Sequence, residues 1–63
     1  MKLTPRQKNF CEYYLQTGNA AEAARLAGYS EKTARVTGPE NLSKPAVSEY
    51  IARRRAEMDK ALI

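Results

Sequence analysis

The fold of this chain is decided by the stretch "NAAEAARLAGYSEKTARV", residues 19–36. Four of its alanines recur at spacings that place them on one face of a helix: Ala20, Ala23, Ala24 and Ala27. Gly28 then permits a left-handed turn, and Ser30 is a good N-cap for the next helix. An alanine four residues before a glycine, between two helices, is typical of a helix-turn-helix unit. The small side chains are expected to keep the two helices close at the turn.

Capping residues mark the helices on either side of this stretch. Thr4, Pro5 and Gln7 form a T-P-x-Q start with a capping box, and Gly18 provides a stop. Asn19 caps the second helix, where Glu22 predicts a second capping box. The pattern predicts an all-α, four-helix domain containing a helix-turn-helix and occupying residues 1–63 as a single unit. The helices are expected at about 4–16, 19–27, 31–42 and 45–61.

Two local features complicate the third and fourth helices. Pro39 lacks the N–H that would bond the Arg35 carbonyl and disfavours helical geometry at Gly38, so a kink or break is expected near residues 38–39. Ser43 or Lys44 is expected to cap the last helix.

Apolar stripes predict which faces of the outer helices are buried. The stripe of the first helix consists of Phe10, Cys11, Tyr14 and Leu15. The stripe of the last helix consists of Val47, Tyr50, Ile51, Met58 and Leu62. Arg54 falls on the same line, where its aliphatic stem is expected to cover apolar surface.

Composition narrows the function classes. The 63 residues carry 11 Lys and Arg against 7 Asp and Glu, a net charge of +4, which favours an anionic partner but is also common in small domains. The chain has no histidine and one cysteine, so imidazole catalysis and the common zinc sites are excluded. Cys11 is interpreted as a small core residue. We expect no enzyme activity, cofactor or metal.

The start of the chain and its apolar runs bear on localisation. No run approaches the roughly 18 apolar residues of a membrane span, and "MKLTPRQK" is not a signal peptide. We expect a cytosolic protein without a membrane partner.

The third helix is the candidate DNA-reading element. If Ala34 points inward, Lys32 and Val36 point outward, with Thr33 and Arg35 on the flanks. Lys and Arg donate to guanine, and the Val36 or Thr33 methyl groups suit thymine. Backbone N–H groups at the starts of helices two and three suit phosphate. Ser30 is a candidate either to cap its helix or to bind phosphate, and capping is the favoured role. These charges are equally consistent with an ordinary solvated face.

A second set of basic residues lies outside the helix-turn-helix. Arg53, Arg54 and Arg55 are distributed around the last helix, so they do not form one stripe. Arg53 and Arg55 face either solvent or a phosphate strand, and Arg6 and Lys8 are candidates to brace a DNA backbone. Double-stranded DNA is therefore the expected partner.

Three segments together resemble the N-terminal DNA-binding domain of bacteriophage terminase small subunits: "LTPRQKNFCEYYL", "GNAAEAARLAGYSEKTA" and G-x-E-N-L-x-K-P-A-V at Gly38–Val47. The resemblance covers about residues 3–55. It implies recognition of viral DNA at the start of genome packaging in the cytoplasm of a bacterial host. It also implies delivery of that DNA to the large subunit, which holds the ATPase and nuclease.

The resemblance also bears on the residues that read DNA and on assembly. It places the reading surface around Lys32, Thr33, Arg35 and Val36. In the family, a following helical region assembles the subunit into rings. The sequence ends at Ile63, so we expect a homo-oligomer of the full-length phage or prophage protein but a monomer for these residues alone.

Two other interpretations stay open. The first is another DNA-binding role, as the helix-turn-helix of a transposase, a recombinase or a transcription regulator. The second is a protein–protein module in which the last helix docks another helix and the basic charge serves only solubility. DNA reading by the third helix and docking by the last are compatible with each other.

Overall fold

The computed structural model describes residues 3–61, which form four α-helices and no strand. The helices are α1 (Pro5–Thr17), α2 (Ala20–Leu26), α3 (Glu31–Leu42) and α4 (Pro45–Ala61). The predicted all-α, four-helix fold is confirmed, and each described boundary lies within one residue of its expected position. The order of α2, a four-residue connection and α3 agrees with the helix-turn-helix prediction. Within residues 3–61, no helix is long and apolar enough to cross a membrane.

The start of α1 is held by the predicted capping box. The Gln7 backbone N–H donates to the Thr4 Oγ1 atom at 3.1 Å, and the Thr4 backbone N–H donates to the Gln7 Oε1 atom at 3.0 Å. At the other end, Gly18 adopts a left-handed φ of 67° and its N–H donates to the Tyr14 carbonyl. A good cap contributes about 1 kcal/mol, so both ends of α1 are set by local sequence.

The start of α2 differs from the prediction in one bond. The Asn19 Oδ1 atom accepts from the Glu22 backbone N–H at 3.0 Å, as an N-cap should. The Asn19 N–H, however, donates to the Thr17 hydroxyl at 3.2 Å, while the Glu22 carboxylate forms an ion pair with Arg25. Only half of the expected capping box is therefore formed, because a neighbouring guanidinium provides the carboxylate with a charged partner.

The core lies where the four helices meet. Its buried apolar members are Phe10, Cys11, Ala23, Ala24, Ala34, Val47 and Ile51. Tyr14 and Leu15 pack against this cluster while remaining partly exposed, and the Tyr14 ring stacks near Phe10 at 6.1 Å between centroids. Burial raises the pKa of the Cys11 thiol to about 11. Cys11 is thus a neutral core residue, as predicted.

The contact between α2 and α3 is made by small side chains and bare backbone. Ala23 and Ala24 are fully buried, and Ala20 and Ala27 are partly buried. At Gly38, an added Cβ would stand 2.5 Å from the Ala20 carbonyl oxygen, closer than van der Waals contact permits. The expected close approach of the helices therefore also extends to the first turn of α2, at the opposite end from the connecting turn.

Helix α3 passes through Pro39 without the expected break and continues to Leu42. Two conditions explain this continuity. The residue before the proline is Gly38, which has no Cβ to clash with the proline ring. The Pro39 ring itself is exposed, so it does not disturb the packed face of the helix. Of the predicted kink or break near residues 38–39, the break is therefore wrong, while a kink stays a prediction.

Helix α4 packs on the core through its first half only. Val47 and Ile51 are buried and Tyr50 is half-buried, whereas Met58 is 46% exposed. The Lys44 carbonyl accepts the first helical bond, from the Ser48 N–H, which agrees with Lys44 as one of the two expected caps. The predicted stripe is therefore buried through Ile51 but not at Met58, and Leu62 lies outside the described residues.

Candidate nucleic-acid interface

The first turns of α3 present their polar side chains to solvent. The inner face of the helix consists of Ala34, Gly38 and Asn41, all buried. The side chains predicted to read DNA all lie on the exposed remainder of the helix: Lys32, Thr33, Arg35 and Val36. Val36 is 64% exposed, unusually open for a β-branched apolar residue. The predicted orientation is confirmed, and DNA contact by these residues remains a prediction.

Ser30 positions the start of this surface. Its Oγ atom accepts from the Thr33 backbone N–H at 3.2 Å and lies 2.7 Å from the Thr33 hydroxyl, to which it donates. Ser30 is therefore the N-cap of α3, as expected, and it also orients Thr33. An N-cap of this kind begins the helix at a defined residue, so the exposed side chains that follow are held in a defined register.

Arg6 lies beside the turn that connects α2 and α3. Its guanidinium carbon is 5.2 Å from the centroid of the Tyr29 ring, and its Nε atom is 3.9 Å from where a Cβ on Gly28 would stand. Gly28 has a φ of 109°, as the predicted left-handed turn requires. The fold thus brings Arg6, from α1, close to the residues that precede α3. Lys8 is exposed on the same helix.

The side chain of Arg54, the middle arginine of α4, bonds to other residues of the chain. The Arg54 Nε atom donates to Glu12 at 3.2 Å, and its Nη1 atom donates to Glu57 at 2.9 Å. The Tyr50 hydroxyl donates to the same Glu12 carboxylate at 2.7 Å. The Tyr50 hydrogen bond, followed by the bond from Arg54, holds the pKa of Glu12 below its ordinary value. Sequence reasoning missed this network, which joins α1 to α4.

The other two arginines of α4 are exposed. The Arg55 guanidinium carbon lies 5.9 Å from the centroid of the Tyr14 ring. The Arg53 side chain has no hydrogen bond or ion pair with another residue among 3–61, so no such contact links it to the exposed face of α3. The structure brings Arg6 and Ser30 to the turn before α3 but does not connect Arg53 with that group.

A small cleft between α2 and α3, called here the α2–α3 cleft, was not predicted. It has a volume of about 180 Å³ and is lined by Asn19, Ala21, Glu22, Arg25, Glu31, Ala34 and Arg35. Two acidic and two basic side chains thus share one depression at the edge of the predicted reading surface. The spacing of Glu22 with Arg25 and of Glu31 with Arg35 is a signal in the sequence, but only the fold shows that both pairs line one cleft.

The chemistry offered by these surfaces is that of binding. Exposed cations and N–H donors on α3 suit phosphate oxygens and the acceptor atoms of bases. No group of three or more Cys, Asp or Glu side chains within residues 3–61 is arranged to hold a metal ion.

Comparison with known proteins identifies one family. The sequence profile of the terminase small subunit family matches residues 3–63. The terminase small subunits of Bacillus phages SF6 and SPP1 are 43% and 44% identical to this chain over alignments of 63 positions, which cover 98% of the chain. The PBSX phage terminase small subunit of Bacillus subtilis strain 168 is 42% identical over 57 residues, which is 90% of this chain.

The relatives are longer than the chain. The match covers 43% of each of the SF6 and SPP1 proteins and 22% of the PBSX protein. The chain therefore spans less than half the length of the curated relatives that it matches.

Proposed function

The chain belongs to the terminase small subunit family, and we propose that it is the DNA-binding domain of such a subunit. In this role residues 1–63 form a single domain that recognises viral double-stranded DNA at the start of genome packaging. The domain supplies recognition and no catalysis. The reaction steps of packaging belong to the large subunit.

One observation carries this proposal: α3 is packed on one side and open on the other. Ala34 is 2% exposed and Gly38 is pressed against the backbone of α2, whereas Lys32, Arg35 and Val36 face solvent. The recognition helix of a helix-turn-helix contacts base edges through its N-terminal residues, which lie in the major groove. The exposed turns of α3 provide such a helix, and its backbone is fixed by the contact at Gly38.

The neighbours of α3 supply contacts to the DNA backbone in this proposal. Arg6, at the turn, and Arg53, on α4, are exposed cations that hold phosphates, while Thr33 and Val36 contact the groove. Ser30 acts through the helix cap that it forms. Phosphate contacts position a protein on DNA, and base contacts determine which sequence it prefers.

Assembly and partners follow from family membership. We propose that the full-length protein is a homo-oligomer that passes DNA to the terminase large subunit in the cytoplasm of a bacterial host. The 63-residue chain alone is expected to sediment as a monomer. A second candidate function, helix docking through α4, is favoured by the exposed Met58. It predicts self-association of the free chain, which sedimentation at increasing concentration measures directly.

Binding to DNA is tested by titrating the chain into a fluorescent 20-base-pair duplex at two salt concentrations. Each phosphate contact releases condensed counterions, so the binding constant should fall steeply as salt rises. Affinity that does not change with salt would contradict the proposal, because contacts between basic side chains and phosphates necessarily release counterions.

The position of the interface is tested with Lys32→Ala and Arg35→Ala. Each substitution is expected to weaken binding by about tenfold, since a good base contact is worth about 1–3 kcal/mol. Lys60→Ala removes the same charge from the last turn of α4 and is the matched control, with a much smaller expected effect. Circular dichroism checks that all variants stay helical. Equal affinities for the four proteins would place the interface elsewhere.

A further inference from the structure

The α2–α3 cleft combines opposite charges beside the residues that we expect to read DNA. On α2, the Glu22 carboxylate is paired with Arg25, and both side chains are about half exposed, at 41% and 50%. On α3, Glu31 and Arg35 are four residues apart, a spacing that places them on the same side of a helix, and both line the cleft. The cleft therefore carries two positive and two negative side chains.

We propose that Glu31, supported by Glu22, is a specificity-determining residue that suppresses sequence-independent binding of DNA by this cleft. The inference rests on the proposed function, and it says how the interface distinguishes a preferred DNA sequence from any other DNA. The chain carries a net charge of +4, which draws it to any nucleic acid. The cleft adds nothing to that attraction, because its four charges cancel.

The argument depends on what each type of DNA contact requires. A phosphate that approaches Arg35 also approaches two carboxylates, whose repulsion offsets the attraction of Arg35 and Arg25. A base edge is uncharged, so the same carboxylates do not oppose an arginine that donates to guanine. Glu can also accept from the amino group of cytosine, which is a contact that depends on sequence. The cleft thus withholds from a phosphate the attraction that an unopposed Arg35 would provide, and it leaves base contacts in place.

Lys32 provides an internal contrast. It is exposed on the same helix but, unlike Arg35, does not line the cleft. Its charge therefore remains available to any phosphate. In this arrangement Lys32 supplies general affinity, while Arg35 is reserved for contacts that tolerate nearby carboxylates.

The test compares Glu31→Gln with Glu40→Gln. Both substitutions remove one negative charge from exposed positions of α3, but Glu40 lies outside the cleft. Two probes are used: a pool of random 20-base-pair duplexes, and the duplex that the wild-type chain enriches most strongly from that pool. Affinity for each probe is measured at one fixed salt concentration.

Glu31→Gln is expected to bind the random pool about two- to fivefold more tightly than Glu40→Gln does, the scale of exposed charge interactions. Its preference for the enriched duplex over the pool should fall by a similar factor. Glu22→Gln, which also releases Arg25, should shift binding in the same direction. This second variant retains the test if Glu31→Gln fails to fold, because Glu31 also lies in the first turn of α3, where acidic residues stabilise a helix.

The outcomes separate the two claims. Equal gains for Glu31→Gln and Glu40→Gln would overturn the inference while leaving DNA binding intact. Failure of the wild-type chain to bind either probe would overturn the proposed function, and the inference with it. A greater gain for Glu31→Gln on the random pool, together with a loss of preference, supports the inference.

Discussion

The α2–α3 contact and the α1–α4 contact are built in opposite ways. Between α2 and α3, methyl groups and backbone meet directly, and a Cβ at Gly38 has no room beside the Ala20 carbonyl. Between α1 and α4, long polar side chains reach across, and the Glu12 carboxylate accepts bonds from Tyr50 and Arg54. The first contact is short and has a fixed shape, whereas the second is long and adjustable.

The difference shows that α3 and α4 are held in place by different kinds of contact. The helix that presents the exposed surface is held by atoms that cannot change rotamer, so its position is fixed by shape. The helix that extends away from the core is anchored by its buried Val47 and Ile51. Beside them, it is held to α1 by partly exposed polar groups, each of which contributes little. The stability of the fold should therefore depend mainly on side-chain size at the α2–α3 contact and on side-chain charge and hydrogen bonding at the α1–α4 contact.

The largest expected effect comes from Gly38→Ala. An alanine is ordinarily favoured over glycine within a helix by about 1 kcal/mol. Here the clash should dominate, because the atoms 2.5 Å and 2.7 Å from the new Cβ are the Ala20 carbonyl oxygen and carbon, which belong to the backbone. We expect a destabilisation of about 3 kcal/mol or more, measured by urea unfolding followed by circular dichroism.

Gly18→Ala is the matched control for that substitution. Gly18 has a left-handed φ of 67° but nothing within 4 Å of an added Cβ, so only backbone strain opposes the change, about 1–2 kcal/mol. If Gly18→Ala proved more damaging than Gly38→Ala, the tight contact between α2 and α3 would not be the main constraint on this region.

A smaller effect is expected from Tyr50→Phe at the other contact. The substitution removes the 2.7 Å hydrogen bond to Glu12 but keeps the ring that packs against the core. We expect a loss of about 1 kcal/mol in the free energy of unfolding. Tyr13→Phe serves as a control, because it also removes one hydroxyl from a partly buried tyrosine and should have less effect. Equal losses would show that the hydrogen bond from Tyr50 to Glu12 adds no stability.

The smallest expected effect concerns pH. The pKa of Glu12 lies below its ordinary value of 4.5 in the folded chain, so the charged carboxylate stabilises the fold above that ordinary pKa. This contribution is lost as the pH falls through the lowered pKa. The wild-type chain should therefore lose more stability than Glu12→Gln between pH 6 and pH 3, as measured by urea unfolding at each pH.

Glu49→Gln on α4 controls for general acid sensitivity. The Glu49 side chain is exposed and bonds to no other described residue among 3–61, so this variant should retain the pH dependence of the wild-type chain. Identical pH profiles for Glu12→Gln and the wild-type chain would contradict the proposed role of the Glu12 network.

Features that depend on local sequence could be predicted. Thr4, Asn19 and Ser30 each cap the helix that follows, because a cap acts within three residues of its own position. The inward and outward faces of α3 also followed from helical spacing. Within that local pattern the exception was Pro39, whose effect depends on the absence of a Cβ at the preceding glycine.

Features that depend on distant residues could not be predicted. Glu12 and Arg54 are far apart in the chain, and neither residue signals its partner by spacing. The same holds for the α2–α3 cleft. The environment of Asn41 is a further example, because its side chain is buried without a hydrogen-bond partner among residues 3–61. Such a group costs about 1–3 kcal/mol, and nothing in the described structure explains it.

The shortness of the connections has an evolutionary consequence. Only Gly18 and Asn19 separate α1 from α2, and four residues separate α2 from α3, so the two connections have no spare length. An inserted or deleted residue would rotate or displace α3 instead of being absorbed in a loop. Lineages that keep this architecture must therefore change their DNA preferences by substituting exposed side chains at constant chain length. Sequence alignments should be free of gaps at these two connections.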